Sequence, residues 1–404
     1  MSQPVTDRSN PSRLRIAILA APMVALPPAG YAGTERIVAI LAQGLHERGH
    51  AVTVFATGDS DLPCEIVPVV ERALWRSGHS GDQTAYIQLA VAMAWRQADR
   101  FDIIHSHIDV PAFPLARYGP TPVVTTLHGR LDVGGTSDLI DEFSEIPLVA
   151  ISDSQRRWNP GANWVSTIHH GLDFSATPQV SKAGEYLAVV GRLTPEKGIA
   201  EAIEVARRTG RRLVMAAKVH EPNEREMFEE LVAPAVAEGI VDWRGELDGD
   251  ARDAMLSGAL ATLMLGAWPE PFGLVAIESM ATGTPVIARR AGGCTETIEH
   301  GLTGYLVDDV SEAVLAVGRV ANLKRDRIAA YSRERFSSER MVTEYEAAYA
   351  RVLGERRVAL PDVPLITDAS PAPLIALNAN GNGRRSRPPQ RASTPLVGTV
   401  GGSG

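Results

Sequence analysis

The chain has 404 residues, a length that suits two domains. Its composition, 45% hydrophobic and 22% charged, is typical of soluble globular proteins. The formal net charge of −8 and the pI near 5.7 argue against a general nucleic-acid binder or a basic membrane-surface protein. Only two cysteines occur, Cys64 and Cys294, which indicates reduced thiols rather than a disulfide framework. A polar N-terminus and the lack of a long apolar stretch predict a soluble, cytoplasmic protein, with peripheral membrane contact left open.

The first predicted elements form a βαβ unit. An apolar, β-branched run at 15–19 predicts a buried parallel strand, a Pro- and Gly-rich loop follows, and apolar residues at helical spacing predict a helix over 34–48. A second strand is predicted at 51–56, which is the pattern of a doubly wound sheet. The series continues with strands at 102–105, 123–127 and 147–151 and a helix over 86–100.

A second α/β series follows a polar linker at 173–183. Its predicted strands are at 186–190, 212–216, 241–244, 261–265 and 284–288, and its helices at 198–210, 224–238, 250–257, 274–282, 311–322, 325–331 and 339–353. The predicted organisation is therefore a disordered N-terminus at 1–12, an N-terminal Rossmann-like domain at 13–175, a C-terminal one at 185–335, a last helix within 336–353 and a disordered Pro- and Gly-rich tail at 354–404.

Two glycine-containing loops follow the first strands of the two halves. Gly30 to Glu35 (GYAGTE) lies before a helix, where glycine allows close backbone approach and the helix N-terminus favours an anion. GRLTPEKG follows the strand at 186–190 and places Arg192 and Lys197 five residues apart, at the strand end where ligands of open α/β sheets bind. Each loop alone is also compatible with a plain turn or with surface cations.

The run EPFGLVAIE places Glu270 and Glu278 eight residues apart, one in a loop and one about a turn into a helix. Both can line one cleft, where free backbone N–H groups of the first helical turn occur at Phe272, Gly273, Leu274 and Val275. Carboxylates of this kind accept hydrogen bonds from sugar hydroxyls. Taken singly, Glu270 could instead be a helix-dipole partner and Glu278 part of a solvated helix face.

His128 lies in Thr-Leu-His-Gly at the end of a predicted strand and is placed to reach a cleft between the domains. Four other histidines occur in close pairs, His105 with His107 and His169 with His170. A zinc site from these pairs is conceivable, but no cysteine ligands or HExxH motif accompany them. The prediction is therefore that the protein has no metal site.

Taken together, these segments resemble the family-4 retaining glycosyltransferases over about residues 13–353. The most specific parts are GRLTPEKG, EPFGLVAIE, SMATGTPVIA and GGCTETI. The resemblance implies a GT-B fold, in which two Rossmann-like domains face each other across a cleft and the last helix crosses back to the N-terminal domain. Two positions depart from the family pattern, Ala32 in place of a paired glycine and Thr295 in place of proline.

The resemblance also implies roles for the candidate residues. Arg192 and Lys197 would hold the diphosphate of a nucleotide-sugar donor, Glu278 the ribose hydroxyls and Glu270 the sugar. Backbone amides at Phe272, Gly273, Leu274 and Val275 would contact that sugar, Gly33 would approach the phosphates, and His128 would lie near the reacting face. The implied reaction is metal-independent transfer of a hexosyl unit with retention, and needs no cofactor besides the donor.

Several alternatives stay open at this stage. Another GT-B enzyme, such as a phosphorylase, starch synthase or sugar-phosphate synthase, has the same fold. An NAD-dependent dehydrogenase is disfavoured because no strand is followed by GxGxxG. A non-catalytic nucleotide-sugar binding or scaffold protein is the alternative from a different class. The donor base, the oligomeric state and the acceptor, whether sugar, lipid or small metabolite, cannot be predicted from this sequence.

Overall fold

The computed structural model of the protein describes residues 13–30, 32–78, 82–219 and 221–359. The predicted disordered N-terminus, 1–12, and the predicted tail from residue 360 onward lie outside the described residues. Residues 354–359 belong to the last helix, so the predicted end of that helix at residue 353 was wrong.

The N-terminal domain is built on a sheet of parallel strands. They are β1 (Arg15–Leu19), β2 (Ala51–Thr57), β3 (Glu65–Val70), β4 (Ile103–Ser106), β5 (Val123–Thr126), β6 (Leu148–Ala150) and β7 (Trp164–Thr167). Their order in the sheet is β3-β2-β1-β4-β5-β6-β7. The central strands are buried on both faces, which explains why they are continuous apolar runs in the sequence.

Helices connect these strands and cover the sheet. They are α1 (Gly33–Glu47), α2 (Thr84–Trp95), α3 (Phe113–Tyr118), α4 (Thr136–Glu142) and α5 (Asp153–Arg156). Helix α1 buries Ile37, Leu41 and Leu45, which recur at the spacing of one helix face. This burial fixes the N-terminus of α1 at the carboxyl end of β1.

The C-terminal domain repeats the arrangement. Its strands are β8 (Leu187–Arg192), β9 (Leu213–Lys218), β10 (Val241–Trp243), β11 (Ala261–Met264), β12 (Val286–Arg289) and β13 (Gly304–Val307), in the order β10-β9-β8-β11-β12-β13. Its helices are α6 (Ile199–Thr209), α7 (Pro222–Met227), α8 (Ala233–Ala237), α9 (Gly249–Gly258), α10 (Leu274–Ala281), α11 (Cys294–Thr297), α12 (Val310–Val317) and α13 (Arg325–Arg335).

In both sheets the first strand is third in the order, with later strands added first on one side of it and then on the other. This strand order defines a doubly wound fold whose ligand crevice opens beyond the carboxyl ends of the strands, where the order reverses. The predicted α/β class with two Rossmann-like domains is confirmed.

Helix α14 (Ser338–Ala359) crosses back from the C-terminal domain and packs on α1, β5 and β7 of the N-terminal domain. Tyr345 and Tyr349 on this helix are fully buried. The thioether of Met341 accepts a hydrogen bond from the amide of Gly171, 3.1 Å away. The predicted crossover of the last helix is therefore confirmed. No helix among the described residues is long and apolar enough to cross a membrane.

Some elements differ from their predictions. Strands β3, β7 and β13 were not predicted; all three are edge strands, and β3 contains Pro68. The predicted helix at 224–238 is interrupted by a π-helix at Phe228–Val232, because Pro234 has no N–H with which to continue the regular helical ladder. Two other predicted helices end earlier, at Trp95 and Val317, and each is followed by a separate short 3-10 helix.

Candidate functional site

The crevice of the C-terminal domain lies where β8, β11 and β12 end and α10 begins. It is lined by Gly191, Lys197, Met264, Trp268, Glu270, Gly273, Leu274, Val275, Arg289 and Cys294, among others. Lys197 ends a short 3-10 helix, Pro195–Lys197, and is followed by Gly198 at a φ of 70°. A side chain at Gly198 would also collide with the backbone of Leu265, so only glycine lets this loop lie against the end of β11.

Lys197 and Glu270 meet in this crevice. The ammonium of Lys197 donates a hydrogen bond of 2.7 Å to Oε2 of Glu270, and both side chains are about a quarter exposed. The loop that carries Glu270 is held by Gly292 and Gly293: the amide of Gly293 donates to the Glu270 carbonyl at 2.7 Å. A Cβ at Gly292 would lie 2.3 Å from that carbonyl oxygen, which accounts for the glycine pair.

Helix α10 begins at the same point. Gly273 precedes it with a φ of 93°, and Leu274 and Val275 are its first residues, so their N–H groups have no preceding turn to bind. Phe272 lies just before them and is buried. The helix N-terminus therefore brings partial positive charge to a crevice that already holds Lys197.

Trp268 was not predicted as a site residue. Its indole N–H donates to the same Oε2 of Glu270, at 3.0 Å. Lys197 lies over the indole ring at 5.6 Å, and Arg130 of the N-terminal domain lies over it at 4.7 Å. A single tryptophan in a loop has no spacing signal; its position two residues before Glu270 was the available clue.

Arg192 ends strand β8, as predicted, but its guanidinium lies against α7. It donates from Nε to the buried carboxylate of Glu224 at 2.7 Å, and its side chain is 52% exposed. Arg192 is not among the crevice-lining residues that surround Lys197. The sequence therefore places this arginine at the correct strand end, whereas the structure pairs it with a glutamate 32 residues further along.

Glu278 lies one helical turn after Leu274 on α10 and is 4% exposed. Its Oε1 contacts the guanidinium of Arg36 from α1 of the N-terminal domain, and that of Arg252 from α9 at 3.4 Å. Its Oε2 is buried and has no hydrogen-bond partner among the described residues. The alternative that Glu278 belongs to a solvated helix face is therefore wrong, and the carboxylate joins the two domains.

Gly33 begins α1 and also faces the C-terminal domain. A Cβ there would lie 3.0 Å from Cδ1 of Leu274, so the leucine side chain would have to shift by a few tenths of an ångström. The N-terminus of α1 therefore packs beside the N-terminus of α10. This contact places the predicted Gly33 loop at the rim of the crevice.

His128 follows β5 and is half-buried in a cluster with His105, His107 and His170. Its Nε2 lies 2.8 Å from Nδ1 of His107, and its ring stacks on His170 at 5.3 Å. His170 in turn packs edge-on against Phe272 at 4.9 Å. Burial lowers the pKa of His128 to about 4, so this imidazole is neutral near pH 7. His128 is thus linked to the C-terminal domain through His170.

Asp109 lies behind His128 and accepts a hydrogen bond from its amide at 3.2 Å. Burial raises the pKa of Asp109 to about 6, although this hydrogen bond lowers it. Its φ of 53° is left-handed, which is unusual for a residue other than glycine. His107, His170 and Asp109 were not predicted as site residues; the HxH pattern at the end of β4 and the His169–His170 pair were the available signals. In the described part of the chain, no group of three His, Cys, Asp or Glu side chains could hold a metal ion.

Comparisons with known proteins agree with this geometry. A family model for glycosyl transferases group 1 matches residues 174–339, and one for Glycosyltransferase Family 4 matches residues 31–167. The chain is 28% identical to a glycogen synthase of Mycobacterium tuberculosis over 70% of this chain and 76% of that protein. It is 25% identical to the D-inositol 3-phosphate glycosyltransferase of Mycolicibacterium smegmatis, over 88% and 95% of the two chains.

Solved structures show the same fold. AviGT4, a glycosyltransferase involved in avilamycin A biosynthesis, superposes with a TM-score of 0.61 at 25% identity and covers 85% of this chain and 98% of its own. Anabaena Alr3699/HepE, in complex with UDP and glucose, gives a TM-score of 0.66 at 17% identity over 86% and 100% of the two chains. The two doubly wound domains have the GT-B fold, and the two family models show that the chain is a glycosyltransferase of this class. Within that class, the chain belongs to glycosyltransferase family 4.

Proposed function

We propose that this glycosyltransferase transfers a hexosyl unit from a nucleotide diphosphate sugar to an acceptor hydroxyl, with retention of configuration and without a metal ion. The observation that carries the proposal is the convergence of Lys197, Glu270 and the N-terminus of α10 on one crevice. The donor class is supported by HepE, whose structures contain UDP and UDP-glucose. The family resemblance supports retention, and a cytoplasmic location stays a prediction from composition.

Departure of the nucleotide diphosphate is the costly step, because negative charge accumulates on the leaving phosphate. Lys197 and the N-terminus of α10 supply positive charge where that phosphate would lie. Arg192 would supply further positive charge if its guanidinium left Glu224 and bound a phosphate oxygen instead. The half-exposed side chain of Arg192 permits this change of partner. These protein groups together can carry the role that a divalent cation has in other transferases.

The sugar would lie between Glu270 and the His128 cluster. Both observed donors to Glu270 bind Oε2, which leaves Oε1 to accept from sugar hydroxyls. The neutral His128 would orient the sugar rather than act as a nucleophile. In an oxocarbenium-like transition state, the leaving phosphate would take the proton of the attacking acceptor on the same face. The acceptor can be a sugar, a lipid or a small metabolite.

Thermal-shift titration with uridine, guanosine and adenosine diphosphates and their sugars, in EDTA, tests the donor site. A ligand that binds only the folded protein raises its melting temperature. We expect a shift with one nucleoside diphosphate, lost in Lys197→Ala and kept in Lys182→Ala, which removes an exposed lysine of the linker. With the matching donor and an acceptor from a screen, Lys197→Ala and His128→Ala should each lower turnover more than tenfold at a matched folded fraction.

Three results would contradict parts of the proposal. Binding that appears only after a divalent cation is added would refute metal independence. Nucleotide binding without turnover over a broad acceptor screen would favour a non-catalytic nucleotide-sugar binding or scaffold protein. No melting shift with any nucleotide at millimolar concentration would refute the donor site itself.

A further inference from the structure

The first turns of α1 and α10 form two facing contacts between the domains. Gly33 on α1 lies against Leu274 on α10, and a Cβ added at Gly33 would lie 3.0 Å from Cδ1 of Leu274. One turn further along each helix, the guanidinium of Arg36 contacts Oε1 of Glu278. Residues three and four apart lie on one helix face, so the two contacts are neighbours in a single interface between the helices. Leu274 also lines the crevice. Glu278 therefore lies one turn of α10 away from a crevice-lining residue.

The two oxygens of Glu278 have different surroundings. Oε1 receives both cations, Arg36 from the N-terminal domain and Arg252 from the C-terminal domain at 3.4 Å. Oε2 is fully buried and has no hydrogen-bond partner among the described residues. A buried carboxylate oxygen without a donor is unfavourable, and such atoms are nearly always satisfied by a ligand or a water. Oε2 is thus the atom of this carboxylate that can accept further hydrogen bonds.

The two arginines are not equivalent partners. Arg252 also binds Asp253, through hydrogen bonds of 2.9 and 3.1 Å, so its charge is shared between two carboxylates. Arg36 is 29% exposed and its observed ion pair is with Glu278. It is also the partner that reaches Glu278 from the other domain, so this contact exists only while the two domains are together.

We propose that Arg36 is a positioning residue of the donor site. By holding Oε1, it orients Glu278 so that Oε2 accepts hydrogen bonds from the vicinal ribose hydroxyls of the donor, and it couples contact between the domains to nucleotide affinity. This inference rests on the proposed function and extends it to a residue of the N-terminal domain. Arg36 acts through Glu278 and does not itself contact the nucleotide.

Isothermal titration of the full chain with a nucleoside diphosphate and with its 2′,3′-dideoxy analogue tests the coupling. The diphosphate is the uridine, guanosine or adenosine form that shifts the melting temperature of the unsubstituted protein. In Arg36→Met we expect affinity for the normal nucleotide to fall at least tenfold, because Glu278 loses the cation that orients it. Affinity for the dideoxy analogue should change less than twofold, since that ligand has no hydroxyls to lose. Arg36→Lys should recover part of the loss.

The matched control is Arg48→Met. Arg48 immediately follows α1, its side chain is 31% exposed, and it pairs with Glu346 of α14 instead of the donor site. Its removal should leave the affinity for both nucleotides within twofold of the unsubstituted protein. Glu278→Gln should reproduce the pattern of Arg36→Met, with the loss confined to the ligand that has ribose hydroxyls.

The remaining outcomes overturn the inference. An equal loss for both ligands in Arg36→Met would mean that the arginine binds the diphosphate directly. A lower melting temperature with unchanged affinity would reduce Arg36 to a structural contact. If the unsubstituted protein binds none of the three nucleoside diphosphates, the proposed function fails first, and this inference fails with it. Binding by the unsubstituted protein with no effect of Arg36→Met would overturn the inference alone.

Discussion

At the level of single residues, Trp268 determines how Glu270 is presented to the crevice. Its indole N–H and the Lys197 ammonium both bind Oε2, which leaves Oε1 available. Trp268→Phe keeps an aromatic ring beside Arg130 and Lys197 but removes the N–H donor. A hydrogen bond to a charged group contributes about 1.5–3 kcal/mol. We therefore expect kcat/KM to fall about tenfold, a change of about 1.4 kcal/mol, while the free energy of unfolding changes by less than about 1 kcal/mol.

The control for this substitution is Trp158→Phe, because Trp158 is 48% exposed and lies outside the crevice-lining set. Steady-state kinetics and urea denaturation of both variants separate an effect on the site from an effect on folding. If Trp268→Phe retains the kcat/KM of the unsubstituted protein, the indole N–H has no part in positioning Glu270.

The candidate site was predictable from sequence where spacing carries information. Lys197 and Glu270 were assigned to one site through the family resemblance of their two motifs, and the structure brings their side chains to 2.7 Å. Arg192 and Glu278 were assigned to the same site, but their partners come from distant segments: Glu278 meets Arg36 across 242 residues of sequence. A single chain contains no periodic signal for such pairings, because they depend on how complete domains pack.

At the level of elements, helix α5 takes two of its N-terminal hydrogen bonds from the opposite domain. Glu296 of α11 accepts from the amides of Asp153 and Ser154 at 2.8 and 2.7 Å, and lies 3.0 Å from Nε2 of His169. A helix of four residues has almost no internal hydrogen bonds, so these contacts support it together with its N-cap, in which Ser152 Oγ accepts from the Gln155 amide at 3.0 Å. The glutamate thereby also links the two domains.

We expect Glu296→Ala to lower the free energy of unfolding by about 2 kcal/mol, since two amides and an imidazole lose a charged acceptor. Glu296→Gln keeps one acceptor oxygen and should lose about half as much. Urea denaturation followed by tryptophan fluorescence measures both. Glu312→Ala is the control, because Glu312 accepts from the Asp308 amide within one domain. Equal stability of Glu296→Ala and the unsubstituted protein would show that water replaces the glutamate without cost.

The elements themselves were predictable in proportion to their burial. Central strands such as β1 and β8 are continuous apolar runs, and the helices between them have clear apolar faces, so the doubly wound class followed from the sequence. Edge strands β3, β7 and β13 have fewer buried positions or lie next to turns, and they were missed. Interruptions such as the π-helix at Phe228–Val232 depend on one proline, whose effect a periodic pattern conceals.

At the level of the whole molecule, the histidine cluster connects the N-terminal sheet, helix α14 and the C-terminal domain. His105 lies 2.8 Å from the hydroxyl of Tyr349 on α14, and His170 packs against Phe272. Burial lowers the pKa of His105 to about 3 and that of His128 to about 4. It also lowers the pKa values of His107 and His170 well below the usual value. The packing of the protein therefore requires neutral imidazoles at its centre.

This requirement makes the stability of the whole protein sensitive to acid. Below about pH 6.5 the unfolded chain binds protons at these histidines, whereas folded His128 does so only near pH 4, so stability falls as the pH drops through that window. The pKa of Asp109 is raised to about 6, so the folded protein binds a proton at this carboxyl group as the pH drops. This uptake offsets the loss of stability by the contribution of one proton at most. Each uncompensated histidine changes the free energy of unfolding by about 1.4 kcal/mol per pH unit.

Urea denaturation between pH 7.5 and 4.5 measures how steeply the free energy of unfolding falls with pH. We expect His128→Gln to lower this dependence by the contribution of one histidine. His46→Gln, which alters an exposed histidine, should leave it unchanged. A stability that does not vary over this range would mean that the cluster is hydrated and titrates normally.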